Sequence, residues 1–176
     1  LVEFGLKHRI LICNDNPYSF ILNDEHLSIL SVPHAKECCV ELNSLSKAHN
    51  MSGWRIGMIA GDAEVIANVL KIKSNMDSGM FKPLQMAAAV ALVQENEWYV
   101  QLNQEYKERQ KLAGDIFDLL DVKYDPDSSG MFLWGRIGQA WKNGEKLSDF
   151  VLQKAHVFIT PGFIFGSNGD QYVRIS

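Results

Sequence analysis

Cysteine, proline and long apolar runs are all scarce in this chain, and each shortage removes a class of protein. Three cysteines in 176 residues, two of them adjacent as Cys38 and Cys39, make no disulfide framework and fit a reducing cytoplasm. All three read as buried apolar filler. The longest apolar stretches, such as MAAAVALV, fall far short of the ~20 residues that span a bilayer, so no membrane partner is expected. No basic-then-apolar leader opens the chain, and nothing in it suggests secretion. Neither sign of charge dominates. A net charge of -4 and a pI near 5.7 give no reason to expect nucleic acid or an anionic membrane as partner. Repeats, low-complexity runs and charge blocks are absent as well.

What is present is an ordinary globular composition, 47% hydrophobic and 22% charged. The length allows one domain with a real core, or one plus part of another. LVEFGLKHR reads as the end of an amphipathic helix and RILICND as a fully buried strand. A short helix near 25–31 and a second buried strand, ECCVELN, repeat the rhythm of an α/β fold with a parallel sheet. RIGMIA, residues 55–60, reads as a third strand, and Gly61 and Asp62 cap a helix over 63–75. From Lys82 to Leu120 the pattern is helical almost throughout, with a bend where Pro83 permits a fresh start. Its apolar side carries Leu84, Ala88, Ala91 and Leu92. Turn residues at 125–130 mark a boundary. After them GMFLWGRI reads as a strand, LSDFVLQKA as a helix, HVFITPG as strand and turn, and QYVRIS as a final strand. The expected architecture is α/β, with a mostly parallel sheet flanked by helices and, in the last third, an α+β unit that reads as a smaller domain. A chain that opens inside a helix and stops on a strand reads as a fragment.

Four places carry chemistry. In NDNPY, Asp15 and Tyr18 stand at the end of a strand, where a carboxylate and a phenol can point at one flat ligand; the same residues also make a good turn, with Asp15 as its cap. In SLSKAHNMSGWRIG, residues 44–57, one lysine lies between two hydroxyls and eight residues before Arg55. A lysine becomes a covalent catalyst by forming a Schiff base with an aldehyde. Hydroxyls and an arginine nearby suit a phosphate, although a solvated polar loop has the same composition. Met51 and Trp54 predict packing of that loop rather than display. In TPGFIFGSNGDQYVRIS, residues 160–176, Arg174 stands on an apolar strand and needs an anion, either a structural carboxylate or one on a ligand. Finally, the helix start in SGMFKPLQ, residues 78–85, could receive an anion or could simply be capped.

Together and in this order, these segments resemble the class I and II aminotransferases of the fold-type-I pyridoxal-phosphate family, over essentially the whole chain. The resemblance makes residues 1–104 the C-terminal part of a large cofactor-binding domain and 105–176 part of the small domain. It implies pyridoxal 5'-phosphate as cofactor. Asp15 then pairs with the protonated ring nitrogen and Tyr18 with the ring hydroxyl. Lys47 holds the cofactor covalently and shuttles the substrate's α-proton. Ser44 and Arg55 bind the phosphate, with Ser46 a weaker candidate, and Arg174 clamps the substrate α-carboxylate. Also implied are amino-acid and 2-oxo-acid substrates, a homodimer and a cytoplasmic enzyme. The family's phosphate loop, ring-stacking aromatic and ring-contacting asparagine lie upstream of its Asp-x-x-Tyr segment, so residues 1–176 alone should be inactive. A C–S β-lyase on the same scaffold is the rival enzyme, and a piece without a working site is the rival outside catalysis.

Overall fold

A computed structural model describes residues 1–176 and divides into two compact units, Leu1–Val100 and Gln101–Ser176. The first opens with helix α1 (Val2–His8), which ends on Arg9 in the left-handed conformation with its amide turned back to the Gly5 and Leu6 carbonyls. Strands β1 (Ile12–Asp15), β2 (Cys39–Ser44) and β3 (Gly57–Gly61) form one sheet in that order. β1 and β2 run parallel, with Asp15 opposite Leu42. β2 and β3 run antiparallel, with Ser44 opposite Gly57. The fold class is α/β, and the expected mostly parallel sheet is represented in this chain by one parallel and one antiparallel pairing. The reversal has a local cause. Residues 45–56 contain no crossover helix, which a parallel return needs.

Three sequence expectations for this unit are corrected. β1 is not fully buried: Ile12 packs against Val2, Ala35 and Cys38, whereas Cys13 on the alternate face is exposed. Cys13 is therefore not core filler, although Cys38 and Cys39 are, with their sulfurs 3.6 Å apart. The helix near 25–31 shrinks to a single 3-10 turn, Ile29–Ser31, capped by the Ser28 hydroxyl. Upstream of it, Asn23 and His26 spend their side chains on the Ser19 carbonyl instead of supporting a helix.

Helix α2 (Ala63–Met76) starts where expected, its first turn capped by the Asp62 carboxylate accepting from the Val65 amide at 2.8 Å. Helix α3 (Lys82–Leu92) has Pro83 in its first turn. The helical stretch is then interrupted at 93–95, where the Gln94 amide reaches back only to the Ala91 carbonyl. Helix α4 (Asn96–Leu119) follows, beginning in the first unit and running into the second. Leu84, Ala88 and Ala91 of α3 pack on Leu45, Met51 and Ile56, while Leu92, expected on the same side, is 49% exposed. This small core lies beneath the loop that carries Lys47.

The second unit pairs β4 (Leu133–Arg136), β6 (Tyr172–Ile175) and β5 (Thr160–Pro161) in the order β4-β6-β5, all antiparallel. β5 is shorter than HVFITPG suggests, because Pro161 has no N–H for the ladder and a 3-10 turn starts at Gly162. Helix α5 (Gly144–Ala155) is capped by Asn143, whose side chain accepts from the Lys146 amide at 3.0 Å. Phe117, Leu133, Leu147 and Val173 form the centre of this unit's core.

Candidate active site

Strand direction gathers the motif residues of the first unit. Asp15 is the last residue of β1 and Ser44 the last of β2, and the two strands are parallel. Arg55 lies two residues before antiparallel β3 begins. All three therefore stand at the same edge of the sheet, the carboxyl edge of β1 and β2, where ligands of open α/β sheets bind.

Asp15 is exposed there and caps no turn. The turn is held by other groups: the Asn16 amide donates to the Leu42 carbonyl at 2.9 Å, and Asn23 bonds the Ser19 carbonyl and the Glu25 amide. Tyr18 sits on that turn, half-buried, and the Lys47 ammonium lies 5.9 Å from its ring centre. No carboxylate pairs with Lys47; the chain's ion pairs are His34–Glu37, Lys73–Asp77, Glu105–Arg109 and Lys146–Asp149.

The lysine loop closes on itself. The Leu45 amide donates to the Ile56 carbonyl, the Met51 amide to the Leu45 carbonyl and the Asn50 amide to the Lys47 carbonyl, each at 3.2 Å. Asn50 and Arg55 both adopt left-handed backbone, φ 53° and 55°. For arginine that conformation costs roughly 1–2 kcal/mol, the kind of local strain that concentrates at functional loops. The Ser44 hydroxyl accepts from the Ser46 amide at 3.1 Å, and the Arg55 guanidinium donates to the Ser52 carbonyl at 2.9 Å while remaining exposed. Met51 is buried as expected. Trp54 is not: the 3-10 turn Ser52–Trp54 carries it outward, 47% exposed.

Several supporting groups carry no sequence signal. Glu41 accepts from the Asn14 side chain, the Ser28 hydroxyl and the Ile29 amide at 2.9–3.0 Å, tying β1 and the 28–31 segment to β2. Burial pushes its carboxyl up, but these donors outweigh it and hold Glu41 below its ordinary value. His49, two residues after Lys47, is buried with Nε2 3.1 Å from the Tyr99 hydroxyl and Nδ1 without a partner. Burial lowers its pKa by disfavouring the charged imidazolium. Trp98 donates its indole N–H to the Ala48 carbonyl at 2.8 Å.

In the second unit Arg174 faces Trp134 on β4 and Thr160 on β5. Its guanidinium carbon lies 4.4 Å from the Phe132 ring centre and 4.5 Å from that of Phe165, a cation–π cradle. Its Nε is shielded and makes no hydrogen bond. Asp170, the structural partner that sequence proximity offers, bonds the Gln171 side chain instead. The helix start at Lys82 has no side-chain cap from Phe81 and shows nothing that marks an anion site. No group of three or more His, Cys, Asp or Glu is arranged to hold a metal, and no helix is long and apolar enough to cross a membrane.

This geometry has close parallels. The chain is 37% identical to the LL-diaminopimelate aminotransferase of Natranaerobius thermophilus over 99% of its own length and 46% of that protein's. It is 35% identical to the enzyme of the same name from Aquifex aeolicus, over 100% and 46%. The chain thus spans about half the length of the curated relatives it matches. Among solved structures, substrate-bound BacF from Bacillus subtilis superposes with a TM-score of 0.91 at 34% identity, covering 99% of this chain and 45% of that one. A probable N-succinyldiaminopimelate aminotransferase from Thermus thermophilus superposes at 0.90 with 28% identity, covering 99% and 47%. The family model for aminotransferases of class I and II matches residues 1–176 without a gap at either end, and a chain with this sheet, this lysine loop and that match belongs to the class I and II aminotransferase family.

Proposed function

We propose that this chain is the lysine-bearing part of a pyridoxal 5'-phosphate aminotransferase, which moves an amino group between an amino acid and a 2-oxo acid. One observation carries the reading: Asp15, Ser44 and Arg55 stand at one sheet edge, with the Lys47 ammonium over the Tyr18 ring and no carboxylate neutralising it. Residues 1–104 are read as the C-terminal part of the large cofactor-binding domain and 105–176 as part of the small domain, as the family resemblance implies.

The residues present fit the cofactor. Lys47 is the group that would hold its aldehyde, and no ion-pair partner competes for the amine. Asp15, an unengaged carboxylate at a strand end, would keep a ring nitrogen protonated. Tyr18 would meet the ring hydroxyl. Ser44 and the exposed Arg55 fork would take the phosphate, with Ser46 beside them. When bound, the cofactor supplies an electron sink for the pair left behind as the substrate α-proton departs. Lys47 is placed to carry that proton, and positioned proton transfer typically contributes ~100- to 10,000-fold. Arg174 is the reader of the α-carboxylate. Its side chain is fixed between two aromatic faces while its Nε lacks an internal acceptor.

The names of the relatives support amino transfer over the β-lyase alternative. A second copy of the chain as partner, and the cytoplasm as location, belong to the same reading. The test is borohydride reduction of the cofactor-loaded protein at its full native length, followed by peptide mapping. The label is expected on Lys47. A label on Lys36, Lys71 or Lys73 overturns the assignment.

A further inference from the structure

Helix α4 begins with two neighbouring aromatic residues, and both reach the site. Consecutive residues on a helix point about 100° apart, so Trp98 and Tyr99 make separate contacts, both on the lysine turn and one also on the turn after β1. The Trp98 indole N–H donates to the Ala48 carbonyl at 2.8 Å. The Tyr99 hydroxyl pairs with His49 Nε2 at 3.1 Å, and its ring stacks on Phe20 with centres 5.1 Å apart and planes inclined by 26°. Phe20 in turn rests on His26, whose Nδ1 lies 2.9 Å from the Ser19 carbonyl.

The positions touched matter more than the contacts themselves. Ala48 and His49 immediately follow Lys47, and both are buried, at 2% and 9% exposure. Phe20 is two residues after Tyr18 on the turn that leaves β1. The lysine turn and the tyrosine turn come from different strands, and one helix end grips both.

We propose that Trp98 and Tyr99 are positioning residues, which hold the Lys47 turn and the Tyr18 turn in fixed relation so that the lysine amine stays over the tyrosine ring. This rests on the functional reading of Lys47 and Tyr18 given above. Neither aromatic residue touches the reacting atoms. Their role is to deny the amine the small displacements that degrade proton transfer. Rotation of Ala48 and His49 about the lysine turn is the motion they oppose.

The test uses two variants of the protein at its full native length, loaded with pyridoxal 5'-phosphate. Trp98→Phe keeps an aromatic ring and removes the N–H donor. Tyr99→Leu removes both the hydroxyl and the stack. Hydrogen–deuterium exchange is read at residues 44–51 and 16–26, alongside steady-state kinetics and thermal melting. Trp98→Phe is expected to speed exchange at 44–51 and spare 16–26, whereas Tyr99→Leu speeds both. In each, kcat is expected to fall roughly tenfold with KM for the amino donor within about twofold, since misplacement of about 1 Å can cost up to 100-fold. If Tyr99→Leu does not fold, Phe20→Leu replaces it and is expected to loosen 16–26 alone. Unchanged exchange at 44–51 in Trp98→Phe overturns the proposal. So does an equal rise across α2 and α3 with a lower melting temperature, which is general destabilisation, and so does an unchanged kcat. Failure of the underlying reading looks different: borohydride would fix the cofactor to another lysine while the exchange pattern stayed as described.

Discussion

Single side chains proposed to act on cofactor or substrate are informative because of what they do not bond. Asp15 caps nothing, so removing its charge leaves the turn intact. Asp15→Asn is expected to melt within about 0.5 kcal/mol of the parent, as surface changes do, and to retain the cofactor while turnover falls steeply. Turnover within a few-fold of the parent would return Asp15 to a turn residue. Arg174 is held between Phe132 and Phe165 with its Nε unpaired. A charge-assisted hydrogen bond contributes ~1.5–3 kcal/mol, and lysine cannot reproduce the planar fork. Arg174→Lys should therefore lower kcat/KM by about 10- to 100-fold for every amino acid alike. An amine without a carboxylate should be unaffected; an equal loss for both classes would make Arg174 structural. The roles proposed for these residues can be read in the sequence because each lies within a compact motif. The groups that hold them are not legible, since Trp98 and Tyr99 approach Ala48 and His49 from about fifty positions away in the chain.

At the scale of elements, local chemistry reads well and pairing reads poorly. Asp62 caps α2 as its sequence announces, and Asp62→Ala should cost about 1 kcal/mol in denaturant unfolding. The antiparallel course of β3 and the exposure of Cys13 and Trp54 depend on which face meets which neighbour, which no short window records. The buried pair His49–Tyr99 adds a pH dependence of known sign. Burial sets the folded-state pKa of His49 below its ordinary 6.5, so the unfolded chain binds the proton first. The stabilising contribution of neutral His49 is present above 6.5 and is lost as pH falls through that value toward the folded one. Glu41 is also held low, so its contribution is present above 4.5 and is lost as pH falls below that value toward the folded one. Melting temperature should thus drop as pH falls below 6.5, and His49→Phe should flatten that slope. An identical slope in the variant would assign the drop to other groups.

Taken whole, the chain carries three separate apolar clusters and a good deal of uncovered apolar surface. Leu70, Ile72 and Met76 of α2 and Met86, Val90 and Val93 at α3 are each at least 60% exposed, a large apolar exposure for a globular unit. Residues 1–176 by themselves are therefore expected to bind an apolar dye strongly and to show no amino transfer; an active, dye-silent preparation would contradict this. In the second unit, Gly162 and Gly169 cross so closely that a Cβ on either would run into the other's backbone. The segment they pinch together carries Phe165, which lies against both Arg174 and Trp134. A methyl group at the crossing would push that phenyl away from the guanidinium it cradles. A genetic screen for lost amino-acid recognition should then return Gly162 and Gly169 alongside Arg174, although neither glycine has a side chain with which to touch a ligand.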